Sequence, residues 1–135
     1  MAPVRSTENP SKLNSVPSRE TGRLGERLAA DYLAKKGYKI AELNYRCVFG
    51  EIDIIACDRK EIVFVEVKSR RSSNFGDPES SVDMRKQKKL SKIAQAYLGE
   101  HGLENREARF DVIAVSFFCN SENIRHIRNA FELAP

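Results

Sequence analysis

Two runs of residues, 51–57 (EIDIIAC) and 61–68 (EIVFVEVK), are dense in Ile and Val and separated only by Asp58-Arg59-Lys60. Short apolar runs joined by a short polar link read as consecutive β-strands. Their near-continuous apolar character means that both faces of the sheet they build are covered. Covering elements are at hand on either side in sequence. Residues 21–36 carry Leu24, Leu28, Ala29, Tyr32 and Leu33 at helical spacing, with Gly37 as the stop. Residues 82–98 predict a second helix, basic on one side and apolar on the other. Strands are predicted at 38–45, with Tyr38, Ile40 and Leu43 facing inward, and at 110–118 and 124–131, with a loop over 69–81. The order α-β-β-β-α-β-β predicts an α/β fold, a mixed sheet with helices on both sides.

The chain has 135 residues, 41% of them apolar, which fits one domain able to fold without a disulfide or metal staple. Residues 1–19 hold Pro3, Pro10 and Pro17 and no hydrophobic periodicity, and are expected to be a flexible tail before a single domain over 20–135. The longest apolar runs, about five to seven residues, fall far short of the roughly 18 that a membrane span needs. No charged-then-apolar leader opens the sequence, so a soluble, cytoplasmic protein is expected. Cys47, Cys57 and Cys119 show no metal-ligand spacing and are read as reduced thiols.

The net charge of +4 is modest, but it is concentrated. Residues 66–92 hold eight basic and four acidic side chains, a surplus equal to that of the whole chain. Such a field suits a polyanion, and equally a solvated helix face.

The informative residues are charges inside apolar strands. Asp53 interrupts one run; Glu66 and Lys68, two apart and so on one face, interrupt the other. If Arg59 and Lys60 form a two-residue turn, Asp53 falls opposite Glu66. Two carboxylates about 4 Å apart repel by roughly 4 kcal/mol at an effective dielectric of ~20. A shared proton, a divalent cation or Lys68 would compensate them. Mg²⁺ suits a pair of carboxylates completed by backbone oxygen and water. Lys68 would then orient a water or stabilise charge on a phosphate.

Glu26, at the margin of the first helix, could reach over a strand end, with Gly22 and Gly25 allowing close approach of helix and sheet. Alone it is a surface Glu near a helix N-terminus. On the second helix Lys86 shares a column with Leu90, Ile93 and Tyr97, and Gln87 flanks it. Arg85, Lys88, Lys89 and Lys92 fall on the opposite side. Arg70 and Arg71, directly after the Glu66/Lys68 strand, are placed to grip a phosphate. Glu51 is read as marginal to the Asp53 face, and Asp111 as a cap or salt-bridge partner as readily as anything catalytic. His101 and His126 are isolated, which disfavours a histidine-activated nucleophile.

The order of Glu26, Asp53 within Gly-Glu-Ile-Asp, and Glu66-Val67-Lys68 resembles the metal-dependent nucleases with the PD-(D/E)xK signature. The thirteen-residue step from Asp53 to Glu66 is similar to that of archaeal Holliday-junction resolvases. Over residues 22–131 the chain more closely resembles the small bacterial YraN-type family, described as restriction-endonuclease-like. The resemblance implies that Asp53 and Glu66 bind Mg²⁺ or Mn²⁺, assisted by the Val67 carbonyl and by Glu26, with Lys68 at the water or phosphate. Lys86 and Gln87, with Arg70 and Arg71, would serve nucleic-acid binding. Ile52 stands where the motif has its naming proline. The implied activity is hydrolysis of DNA phosphodiester bonds on branched or damaged DNA, with a homodimer suited to symmetric cutting. The alternatives are a nucleic-acid-binding adaptor without turnover and a structural subunit whose carboxylates bind metal for stability.

Overall fold

A computed structural model describes residues 18–71, 82–118 and 120–133. Most of the expected tail, residues 72–81 of the expected loop, and Cys119 lie outside the described residues. The elements run α1 (Ser18–Lys35), β1 (Lys39–Cys47), β2 (Gly50–Asp58), β3 (Glu61–Arg70), α2 (Met84–Glu100), β4 (Ala108–Phe118) and β5 (Ser121–Phe131). This is the predicted order. The strands form one five-stranded sheet in sequential order β1-β2-β3-β4-β5. β3 and β4 are parallel and every other neighbouring pair is antiparallel. A parallel neighbour needs a crossover, and α2 supplies it.

Helices cover both faces of the sheet, as the apolar strands require. On one face Ala29 and Leu33 of α1 pack with Ile54, Ala56, Val63, Val65, Ile113 and Val115. On the other, Leu90, Ile93, Ala94 and Tyr97 of α2 pack with Ile52, Ile55, Phe64 and Phe110. β3 therefore alternates strictly, Val63 and Val65 toward α1 and Ile62 and Phe64 toward α2. Glu66 and Lys68 continue the α2 side of that alternation.

α1 ends as Gly37 predicts. With Gly37 at φ 97, its N–H donates to the Ala34 carbonyl and the Tyr38 N–H to that of Leu33. This is the paired bonding of a Schellman stop. Gly25 is a true close-approach glycine, since a Cβ there would collide with the Ser69 side chain. Gly22 has nothing within 4 Å of such a Cβ, so that part of the expectation is corrected.

Leu43 is corrected too. It is 55% exposed, and Tyr45 takes the inward position instead. β1 has a register shift between Ile40 and Glu42, and Asn44 adopts φ 53, so simple alternation fails there. β3 runs on through Ser69 and Arg70, where the sequence predicts the start of the loop over 69–81. β5 starts at Ser121, earlier than its apolar residues suggested, because pairing with β4 rather than burial defines its first residues.

Candidate functional site

The β2–β3 turn is the two-residue link Arg59-Lys60, with Asp58 facing Glu61 and Arg59 at φ 61. From there the ladder runs to the pair Ile54 and Val65. One step further the register sets Asp53 against Glu66. The strands change character at this point. Ile52 belongs to the α2-side core and Ile54 to the α1-side core, although residues two apart on a regular strand share a face. The strand thus rotates about Asp53, across from the left-handed Asn44. In place of a ladder partner, the Val67 N–H donates to Asp53 Oδ2 at 2.8 Å. Asp53 is a strand residue whose side chain has taken over a backbone acceptor's role.

Around this point lies a cleft of about 660 Å³, lined by Glu26, Glu51, Asp53, Glu66, Asp83, Arg85, Lys86, Lys89, Leu90 and Ile93. Burial first, and then the Glu66 carboxylate, push Asp53 up to about 7 against the Val67 hydrogen bond; Glu26 and Glu51 add to the rise. Glu66 is only 8% exposed and carries two ammonium groups on one oxygen. Lys86 Nζ lies 2.6 Å and Lys68 Nζ 3.6 Å from Glu66 Oε2. The two lysines diverge electrically. Burial lowers Lys68, and Lys86 lowers it further, against the pull of Glu66. Burial also works against Lys86, but its bond to Glu66 outweighs that and holds it above its ordinary value.

Glu26 comes to the cleft from α1, as its margin position suggested. Its Oε1 accepts from Asn44 Nδ2 at 3.0 Å, and the same amide donates to Glu51 Oε2 at 3.1 Å. Asn44 therefore spans the two outer carboxylates while Lys86 and Lys68 occupy Glu66, one of the two inner ones. Among the described residues, no three acidic, histidine or cysteine side chains converge on a point that could enclose a metal ion. The donors at hand are two inner carboxylates, Asp53 and Glu66, in an open cleft. That set fits Mg²⁺, which takes one or two carboxylates and completes its shell with water and substrate phosphate.

Of the remaining predicted residues, Lys86 points into the cleft as its helical column implied. Gln87 donates instead to the Val82 carbonyl at 2.9 Å, fastening the start of α2, whose cap is the Asp83 carboxylate accepting from the Lys86 N–H. Arg70 and Arg71 are half-buried at the end of β3 and are not among the described residues lining the cleft. Arg85 and Lys89, assigned to the far side of α2, line the cleft beside Lys86. The first turns of α2 overhang the cleft, so the arc facing inward is wider there than the apolar stripe alone indicates.

Sequence reasoning missed Asn44, which nothing but its lone position in β1 could have signalled. It also missed the ionic hub on the α1 side of the sheet. Arg109, 6% exposed, donates from Nε to Asp111 Oδ1 at 2.9 Å and from Nη1 to Glu61 Oε1 at 2.6 Å. Its Nη2 donates to the Tyr38 hydroxyl at 2.8 Å. Asp111, fully buried, also accepts from the Asn129 N–H at 2.9 Å and pairs with His126 Nε2 at 2.7 Å. Asp111 is thus a salt-bridge partner, one of the roles its position allowed.

An α/β sheet protein with a carboxylate–lysine cluster where its central hairpin opens is the class that fold and cleft define. The chain belongs to the uncharacterised protein family UPF0102, the YraN-type family, whose family model matches residues 25–115. It is 55% identical over 114 residues to a UPF0102 protein of Syntrophus aciditrophicus, covering 84% of this chain and 90% of that one. It is 47% identical over 124 residues to UPF0102 protein TTE1452 of Caldanaerobacter subterraneus, covering 88% of this chain and all of that protein. Among solved structures it is similar to Pyrococcus furiosus SfsA in complex with Ca²⁺, at 15% identity and a TM-score of 0.39, over 84% of this chain and 64% of that one. No helix among the described residues is long and apolar enough to cross a membrane.

Proposed function

We propose that this protein is a metal-dependent nuclease that hydrolyses DNA phosphodiester bonds, on branched or damaged DNA. The observation that carries the reading is the meeting of Asp53 and Glu66 in one cleft lined also by Arg85, Lys86 and Lys89, with Lys68 paired to Glu66 beside it. Asp53 and Glu66 would hold Mg²⁺ or Mn²⁺, with the Val67 carbonyl and Glu26 as further ligands. The bound ion would supply Lewis-acid stabilisation of the phosphate and a more acidic water. Asp53, near neutrality in its ionisation, is a carboxylate in want of a cation. Lys68, its charge weakened by burial, would orient the attacking water or meet charge developing on the phosphate. Arg85, Lys86 and Lys89 would position the backbone without reading sequence. Cytoplasmic placement and a homodimer for two-strand cutting belong to the same reading.

The test is incubation of single-stranded, duplex, flapped and four-way-junction DNA with wild type and Asp53→Ala, with Mg²⁺, Mn²⁺ or chelator. Cleavage that requires metal and disappears in the variant is expected. The ion pair of Lys86 with Glu66 favours a second reading, a non-catalytic nucleic-acid-binding adaptor. Metal-independent DNA binding with no cleavage of any substrate would select it.

A further inference from the structure

The shortest ion pair in the cleft joins Lys86 Nζ to Glu66 Oε2 at 2.6 Å, and Lys86 remains 38% exposed along its side chain while Glu66 is 10% exposed. A nearly buried carboxylate beside a second carboxylate requires a positive neighbour, and its retained partner here is a mobile, four-carbon ammonium rather than a fixed guanidinium. Lys68, on the same strand, meets the same oxygen only at 3.6 Å. Lys86 sits in the first turn of α2, its own N–H tied to the Asp83 cap, so the stem is anchored while the ammonium reaches across open cleft. Arg85 and Lys89 flank it on the same wall.

We infer that Lys86 is an exchangeable counter-cation: it neutralises Glu66 while the site is without metal, and gives up that carboxylate to a divalent ion, turning its ammonium to the DNA phosphate beside Arg85 and Lys89. This rests on the reading of Asp53 and Glu66 as a metal centre and adds a coupling to it. Metal uptake frees a phosphate contact, so metal and DNA favour each other's binding. By linkage that preference is reciprocal. The exchange keeps Glu66 paired throughout.

Mn²⁺ affinity, read by the spectrum of free Mn²⁺ in an electron-spin-resonance titration, tests this on wild type, Lys86→Met, Lys86→Gln and the neighbouring control Lys89→Met. Removing the competing charge is expected to tighten Mn²⁺ binding at least roughly tenfold in both Lys86 variants, while Lys89→Met, whose ammonium has no ion pair with Glu66, stays within about twofold to threefold of wild type. DNA affinity supplies the second arm, with Ca²⁺ as a binding ion. Lys86→Met is expected to lose severalfold affinity when Ca²⁺ is present and almost none when it is absent. Unchanged Mn²⁺ affinity in both Lys86 variants overturns the exchange while leaving metal-dependent cleavage intact. An equal DNA defect with and without Ca²⁺ overturns it as well. Absence of Mn²⁺ binding in every protein, with DNA present, overturns it together with the metal-centre reading.

Discussion

The Val67 N–H donates to Asp53 Oδ2 at 2.8 Å just beyond the last ladder pair of β2 and β3. This bond joins the two halves of the site. It lets the strands part without leaving the Val67 N–H unpaired, and it holds Asp53 against Glu66, its opposite number in the register. The cost is electrostatic, because half-buried Asp53 loses solvation beside the Glu66 carboxylate and is pushed up to about 7.

That shift predicts an inverse pH dependence of stability. A carboxyl that ionises near 7 when folded and near 4 when unfolded binds its proton more tightly in the native state. Its contribution to stability is therefore fully present below about pH 4 and is lost as pH rises toward 7. In chelator, Asp53→Asn should gain on wild type across that range, by on the order of 2 kcal/mol at pH 8. Urea unfolding at pH 4 and pH 8 checks this; a gap that does not change with pH contradicts it.

Lys68 should separate chemistry from metal binding. Lys68→Met is expected to slow cleavage by roughly 10²–10⁴-fold while Mn²⁺ affinity stays within a few fold. Single-turnover rates and a metal titration on the same variant measure the two quantities independently.

The Arg109–Asp111–His126 hub should matter for stability. Burial opposes the Asp111 charge, but His126, Arg109 and the Asn129 N–H outweigh it and hold the carboxyl below its ordinary range. The stability it supplies is present above the unfolded carboxyl pKa, roughly 4, and lost as pH falls through the lowered folded value. Asp111→Ala takes the partner from Arg109 Nε, His126 Nε2 and the Asn129 N–H at once, and should cost about 3 kcal/mol even though Glu61 still pairs Arg109. Thermal melts at pH 7 measure the loss, and a variant as stable as wild type would show that the hub is dispensable.

Gly25→Ala tests how closely α1 must lie against β3. The added Cβ meets both Oγ and Cβ of Ser69, so α1 must lift or Ser69 must shift. A loss of about 1–3 kcal/mol is expected, with Gly22→Ala, which meets nothing, as the control. Equal melting temperatures for the two variants would contradict the packing argument.

Much of this was legible in the chain. The apolar hairpin dictated two-sided burial, and Asp53, Glu66 and Lys68 stood out because strands so apolar do not carry charge without reason. Lys86 was legible from its column on α2. Leu43 was not, because the register shift after Ile40 and the left-handed Asn44 break the alternation on which its placement relied. Asn44 itself gave no signal, since its partners Glu26 and Glu51 meet only after α1 and β2 are assembled. Arg85 and Lys89 were set on the wrong side because the helical wheel marks the apolar stripe and says nothing of an overhanging cleft. Arg109 gave no signal, because Tyr38, Asp58, Glu61 and Asp111, drawn from three strands and the residue just ahead of β1, meet around it only in the assembled sheet.

The central claim is that Asp53 and Glu66 together hold one divalent ion. Calorimetric titration of Mn²⁺ into wild type, Asp53→Ala and Glu66→Ala under reducing conditions, with and without junction DNA, tests it most directly. One ion per chain in wild type and none in either variant is the predicted result. Binding that survives both substitutions, or no binding by wild type even with DNA present, would contradict it.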